Sequence, residues 1–270
     1  MKIGLHLRNS GPAATRELIR DCARIADSLA AIDDLWVYDH LAIPPDQAEG
    51  SDGIYLDPLA SLAFIAGATE RVAIGTRVLI LPYRPPLPTA KWIASVQALA
   101  GGRLRLGVGV GWKAEEFRVL GIDRSRRGAI AEATLAFIER CFAADEVIEA
   151  GQPFLFRPRP ERPPIYVGGH PPHAFARAVR YGEGWAAPGS DAESLRERAA
   201  ELRRLFAEAG KPAPEIIVSL RAAAGEVDGL ADRVRALEAI GVTRVAINAP
   251  YADADDFRRA AERAARLADP

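Results

Sequence analysis

Cysteine is nearly missing from this chain of 270 residues: only Cys22 and Cys141 occur. Two cysteines make neither a disulfide framework nor a zinc pattern. Both sit beside apolar neighbours at helical spacing, where a small buried hydrophobe is expected. That usage suits a reducing, cytoplasmic setting. A charge excess of one sign is missing too: 35 basic residues meet 36 acidic ones, for a formal net charge of -1. This gives no electrostatic case for binding nucleic acid or an acidic membrane. Long apolar runs are absent. The run Val72–Leu81 is far too short to cross a bilayer. The start, Met1–Gly11, alternates apolar and polar residues and lacks the apolar core of a signal peptide. Histidine is scarce, with His6, His40, His170 and His173. His170 and His173 have a spacing seen in metal sites, but Pro171-Pro172 separate them and no third ligand is near in sequence. No metal is expected.

What the chain has is a repeated strand–helix unit. Hydrophobic residues make up 49% of it, enough to build a sizeable core without metal or disulfide help. Eight strands are expected: Lys2–Arg8, Leu35–Tyr38, Val72–Ile80, Leu104–Gly111, Ile165–Val167, Trp185–Ala187, Glu215–Leu220 and Arg244–Asn248. Between them lie helical patterns, with Asp57 and Pro58 opening one helix and Ser190 with Glu193 capping another. Trp92 fits the buried face of the third helix. The segment Glu146–Pro164 breaks the alternation with Gly151 and five prolines, and reads as a small surface hairpin with one strand at Phe154–Arg157. Eight strands alternating with about eight helices point to a single α/β domain over 1–270, a (β/α)8 barrel with a hairpin insertion at about 146–164 before the fifth strand. A doubly wound sheet would normally stop at five or six strands.

In such a barrel the working residues lie at the C-terminal ends of the strands. That rule selects Arg8, Asp39, His40, Arg77 to Leu81, Gly109 to Lys113, Gly168 to His170, Pro188 to Ser190, Arg221 and Asn248. Asp39-His40 is the sharpest polar pair, because an imidazole at a strand end gives or takes a proton near neutral pH. A capping Asp39 beside a satisfied surface His40 is the plainer alternative. Gly109, Gly111 and Ala114 satisfy one variant of the dinucleotide fingerprint, but the acidic residue that should close a second strand, Glu132, lies in a helical stretch instead. Glycines that let a flat ring approach the strand, or that simply pack tightly in the barrel, account better for Gly107 to Gly111. Gly168-Gly169-His170 precedes a helix N-terminus, which suits a phosphate and is also a common strand-to-helix turn. Trp112 is placed to stack on a ring.

The blocks ERVAIGTRVLILPYRPPLPTAK, GGRLRLGVGVGWKAEEF, PPIYVGG and RYGEGWAAP, in that order, resemble the bacterial luciferase-like superfamily. Within it the chain is most similar to the deazaflavin oxidoreductases that use coenzyme F420. The resemblance implies a TIM barrel, often a homodimer, acting on a small-molecule substrate. It implies His40 as proton donor or base near the reactive ring carbon, with Asp39 orienting or tuning it. Thr76, Arg77 and Val78 match the bulge where family members hold a non-proline cis peptide against the ring, expected here between Arg77 and Val78. Gly109, Val110, Gly111 and Trp112 match the segment lining ring and tail. Gly168, Gly169, His170 and the Arg177–Gly184 region match segments holding the tail. Arg77 departs from the pattern: it stands where a small residue is common, and would either crowd the ring or bind an anionic substrate. The same backbone suits FMN, so a reduced-FMN monooxygenase is the alternative. A non-catalytic flavin-binding protein is a third reading.

Overall fold

Strand and helix alternate from the first residues onward. In chain order they are β1 (Lys2–His6), α1 (Arg16–Ser28), β2 (Asp34–Val37), α2 (Pro58–Ala66), β3 (Ala73–Ile80), α3 (Pro86–Leu99), β4 (Leu104–Gly109), α4 (Ala114–Val119) and α5 (Arg127–Ala143). They continue with β5 (Glu146–Glu149), β6 (Gln152–Leu155), β7 (Ile165–Gly168), α6 (His173–Tyr181), β8 (Gly184–Ala187), α7 (Ala192–Glu208), β9 (Glu215–Arg221), α8 (Ala231–Ala239), β10 (Arg244–Asn248) and α9 (Ala254–Ala265). The computed structural model describes residues 1–223 and 227–268, so residues 224–226 and 269–270 of the expected span lie outside it.

Eight of the strands pair in parallel and close in the order β1-β10-β9-β8-β7-β4-β3-β2. This is the expected (β/α)8 barrel. The apolar, β-branched strands are buried on both faces, as parallel strands under a helical layer must be. β5 and β6 form the antiparallel hairpin outside the barrel. Its second strand lies two residues earlier than expected. The turn falls at Ala150 and Gly151, both with positive φ, which releases Phe156 to be buried against Phe142.

Helix starts follow from capping chemistry. Asp57 accepts from the amides of Leu59 and Ala60, with Pro58 at the first helical position. The cap of α7 is Asp191, not Ser190: the Asp191 carboxylate accepts from the Ser194 amide three residues on, the reach a cap requires. Ser190 falls one residue too early. Trp92 also departs from expectation, standing 46% exposed on α3.

The barrel interior is filled by Trp36, Tyr166, Ala186, Ile217 and Ala246, with Val78 packed on top. Its N-terminal end is closed by a buried ion pair between Arg244 and Asp34. The Trp36 indole donates to the same carboxylate, and Tyr166 donates to Glu215 at 3.1 Å. A larger apolar core lies between strands and helices. Only the C-terminal end of the barrel is left to hold a ligand. Among the described residues no helix is long and apolar enough to cross a membrane.

Candidate active site

A cavity of about 1340 Å³ opens at that C-terminal end. Asp39, His40, Arg77, Val78, Gly109, Val110, Gly111, Trp112, Gly168, Gly169 and His170 all line it. Thr76 does not: it is fully buried and its hydroxyl donates to the Gly107 carbonyl at 2.6 Å.

β3 and β4 build one wall. Their register shifts between Thr76 and Leu79, and the Arg77–Val78 peptide is cis, at the position the resemblance implies. The bulge pushes Val78 toward its neighbours, and this explains the glycines. A Cβ on Gly109 would stand 2.5 Å from Val78 Cγ2, and one on Gly107 would collide with the Thr76 carbonyl. These glycines make room for the bulge, and Val78 joins Gly109 and Gly111 in the surface that faces the cavity.

The end of β2 supplies His40, but its partner is not Asp39. The Asp39 carboxylate accepts two hydrogen bonds from Arg84, at 2.7 and 2.9 Å, and one from the Ile80 amide at 2.8 Å. Arg84 also pairs with Asp57. Asp39 therefore ties the end of β2 to β3 and to the start of α2. The His40 ring instead meets Glu116, with Nδ1 3.0 Å from Oε2. Glu116 lies on the short α4, wholly buried, and also accepts from Tyr83 Oη at 2.8 Å and from the amides of Leu41 and Ala42 at 2.6 and 3.1 Å. Burial opposes its charge, but the His40 contact and those donors outweigh it and hold the carboxyl down at about 2. An ionised carboxylate only accepts, so His40 carries a proton on Nδ1. Among the described residues Nε2 has no protein hydrogen bond, and His40 is part of the cavity wall. Tyr55 and Trp112 stand edge-on to the imidazole, at 5.0 and 6.4 Å between ring centres. Trp112 is 65% exposed at the rim.

The far end of the cavity is basic. Arg124 and Ser125 come from the helical turn before α5, Arg127 and Gly128 from the start of α5, and Arg177 from α6. α5 runs on directly from the helical turn Arg124–Arg126, and the Arg127 amide donates to the Arg124 carbonyl. Arg177 is steadied by the carbonyls of His173 and Gly128. Of this group only the Arg177 region had a signal in the sequence. Glu116 had almost none: it is 76 residues from His40 and reads as one of two adjacent acids on a helix.

A closed parallel barrel, a histidine–glutamate couple and a basic far end describe one ligand-binding enzyme site. Residues 3–269 match the model of the luciferase-like monooxygenase family, and the chain belongs to that family. An uncharacterized protein of Mycobacterium tuberculosis is 32% identical over 217 residues, covering 77% of this chain and 74% of its own length. The F420-dependent hydroxymycolic acid dehydrogenase of Mycobacterium tuberculosis is 29% identical over 167 residues, covering 58% of this chain and 45% of its own. Among solved structures, an F420-dependent secondary alcohol dehydrogenase in complex with an F420-acetone adduct superposes with a TM-score of 0.79, at 16% identity, covering 95% of this chain and 96% of that one.

Proposed function

We propose that this chain is an oxidoreductase using coenzyme F420, with hydride transferred to or from a small organic substrate held in the barrel mouth. The observation that carries this reading is the His40–Glu116 couple facing the same cavity as the Val78 bulge and the basic far end. The F420-dependent dehydrogenase among its relatives supports it.

The residues fit such a cofactor. The cavity is large enough for a fused ring and its tail. Val78 offers a flat apolar rest for the ring, and Trp112 stands over the open side. Arg127 and Arg177 suit the tail phosphate. When bound, the deazaflavin supplies or accepts hydride at its C5. His40 handles the accompanying proton through Nε2: it gives one to a substrate oxygen in reduction and takes one in oxidation. Glu116 fixes the imidazole tautomer and stabilises the imidazolium, and Tyr83 steadies Glu116. Asp39 acts on His40 only through the backbone they share. Trp112, Tyr55 and Leu41 shield the imidazole from solvent.

The same reading makes the protein a cytoplasmic homodimer with one luciferase-like barrel domain per chain. A reduced-FMN monooxygenase is the second reading, favoured by the description of the family model. Fluorescence titration of the purified protein with each cofactor separates the two. Tighter binding of coenzyme F420 is expected, and tighter binding of FMN overturns the first reading. Turnover unchanged in His40→Ala would remove His40 from the mechanism, and cofactor binding without any turnover in the wild-type protein would favour a binding protein.

A further inference from the structure

Arg77 is out of place by the ordinary rules of charge burial. Its backbone belongs to the bulge of β3, yet its side chain crosses the barrel to the opposite wall. Nε donates to Ser219 Oγ at 2.9 Å on β9, and Nη2 to the Ala187 carbonyl at 2.8 Å on β8. Both acceptors are neutral. No carboxylate among the described residues lies within ion-pair distance, and Nη1 has no protein partner. Burial pushes the guanidinium down to about 10. A half-buried cation with no carboxylate beside it is placed to pair with an anionic ligand in the cavity it lines.

The surroundings point the same way. Ser219 Oγ also lies 3.0 Å from His6 Nε2, and His6 is stacked on Tyr38 at 4.6 Å. Tyr38 Oη accepts from Asn248 Nδ2 at 2.9 Å. Arg221, at the end of β9, has an exposed side chain with no acidic partner among the described residues, and it lines the same cavity beside Arg77, Ser219 and Asn248. Arg221 is two residues from Ser219 on β9 and stands in register with Asn248 on β10, so it belongs to the wall that the Arg77 side chain reaches. The basic far end at α5 lies on other elements and uses other arginines.

We infer that Arg77 and Arg221, with Ser219 and Asn248 beside them, form an oxyanion subsite that selects substrates bearing a carboxylate. This rests on the oxidoreductase reading for why a substrate enters the mouth at all. Guanidinium forks match a carboxylate in geometry as well as charge. The substrate is thus an organic acid whose reducible or oxidisable carbon lies between that carboxylate and His40.

The test uses benzoate and hexanoate, each paired with its neutral amide, followed by ligand-observed NMR on the full chain with and without bound cofactor. The acids are expected to bind and the amides not. Arg77→Met and Arg221→Met are each expected to weaken acid binding by ~10-fold or more, while the thermal melt of Arg221→Met stays at the wild-type value. Equal binding of acid and amide, no binding of either acid, or undiminished acid binding in Arg221→Met overturns the subsite. Cofactor titration of the same samples keeps the two readings apart. Cofactor binding without acid binding defeats only the subsite, and acid binding without cofactor defeats only the oxidoreductase reading. A loss in Arg77→Met confined to the reduced cofactor, with acid binding intact, assigns Arg77 to the ring and overturns the subsite as well.

Discussion

Glu116 decides which nitrogen of His40 carries the proton. In Glu116→Gln the carboxamide oxygen would stay with the amides of Leu41 and Ala42, and its NH2 would face Nδ1 and the Tyr83 hydroxyl. Nδ1 must then accept, and the ring proton moves to Nε2. The expected result is a reversed tautomer in the nitrogen NMR of His40, with cofactor binding unchanged and turnover lower by ~100-fold or more. An unchanged tautomer would sink this role for Glu116. A second prediction concerns acid stability. Burial, helped by Arg77, pushes His6 from 6.5 down to about 3. Between those values the unfolded chain binds a proton that the folded chain does not, so stability falls as the pH drops from 6.5 toward 3. Glu116 is depressed from 4.5 to about 2, so its contribution is complete above 4.5 and is lost as the pH falls toward 2. Urea melts across this range should slope downward, by a few kcal/mol in total. His6→Asn should flatten the slope between pH 6.5 and 3, and an unaltered slope would show that His6 does not titrate as the geometry implies.

The bulge on β3 and the glycines of β4 work as one element. Gly109→Ala places a methyl group against Val78 Cγ2, a contact too short to keep. About 1–3 kcal/mol of destabilisation is expected, with weaker cofactor binding as Val78 is displaced. Val78→Ala in the same chain should recover part of that loss. Additive effects in the double-mutant cycle would mean that the two residues do not interact. At this scale the sequence was informative about place and less so about partner. The G-x-G spacing could be read because it is local, and the cis position came from the family resemblance of the Thr76–Val78 block. That Gly109 faces Val78, and that Asp39 turns to Arg84 and leaves His40 to Glu116, depends on which strand ends meet across the barrel. The hairpin lies where it is expected, but its second strand starts two residues earlier for a related reason: Gln152 and Pro153 have weak strand propensity, and pairing with Glu146–Glu149 overrides it.

The whole barrel was legible because parallel strands buried on both faces leave apolar runs that helices separate, and the closed order follows the chain except where the hairpin is inserted. Its outer surface was not, since a helix covered by a partner subunit and one covered by its own barrel have similar composition. Trp92 shows the difference. Its spacing fits a buried face, yet it stands 46% exposed on α3, seven residues before Leu99 at 69%, with Phe64 of the adjacent α2 at 37%. Apolar side chains grouped on two packed helices are the usual mark of an association surface, and a twofold dimer would cover the same patch on both chains. Sedimentation equilibrium is expected to give twice the chain mass. Trp92→Glu, which sets a charge on the exposed face of α3, should shift the protein to monomer while leaving cofactor titration intact, because Trp92 is not among the residues lining the cavity. A wild-type protein that sediments as a monomer at all concentrations would leave these helices exposed for some other reason and end the case for a dimer through α2 and α3.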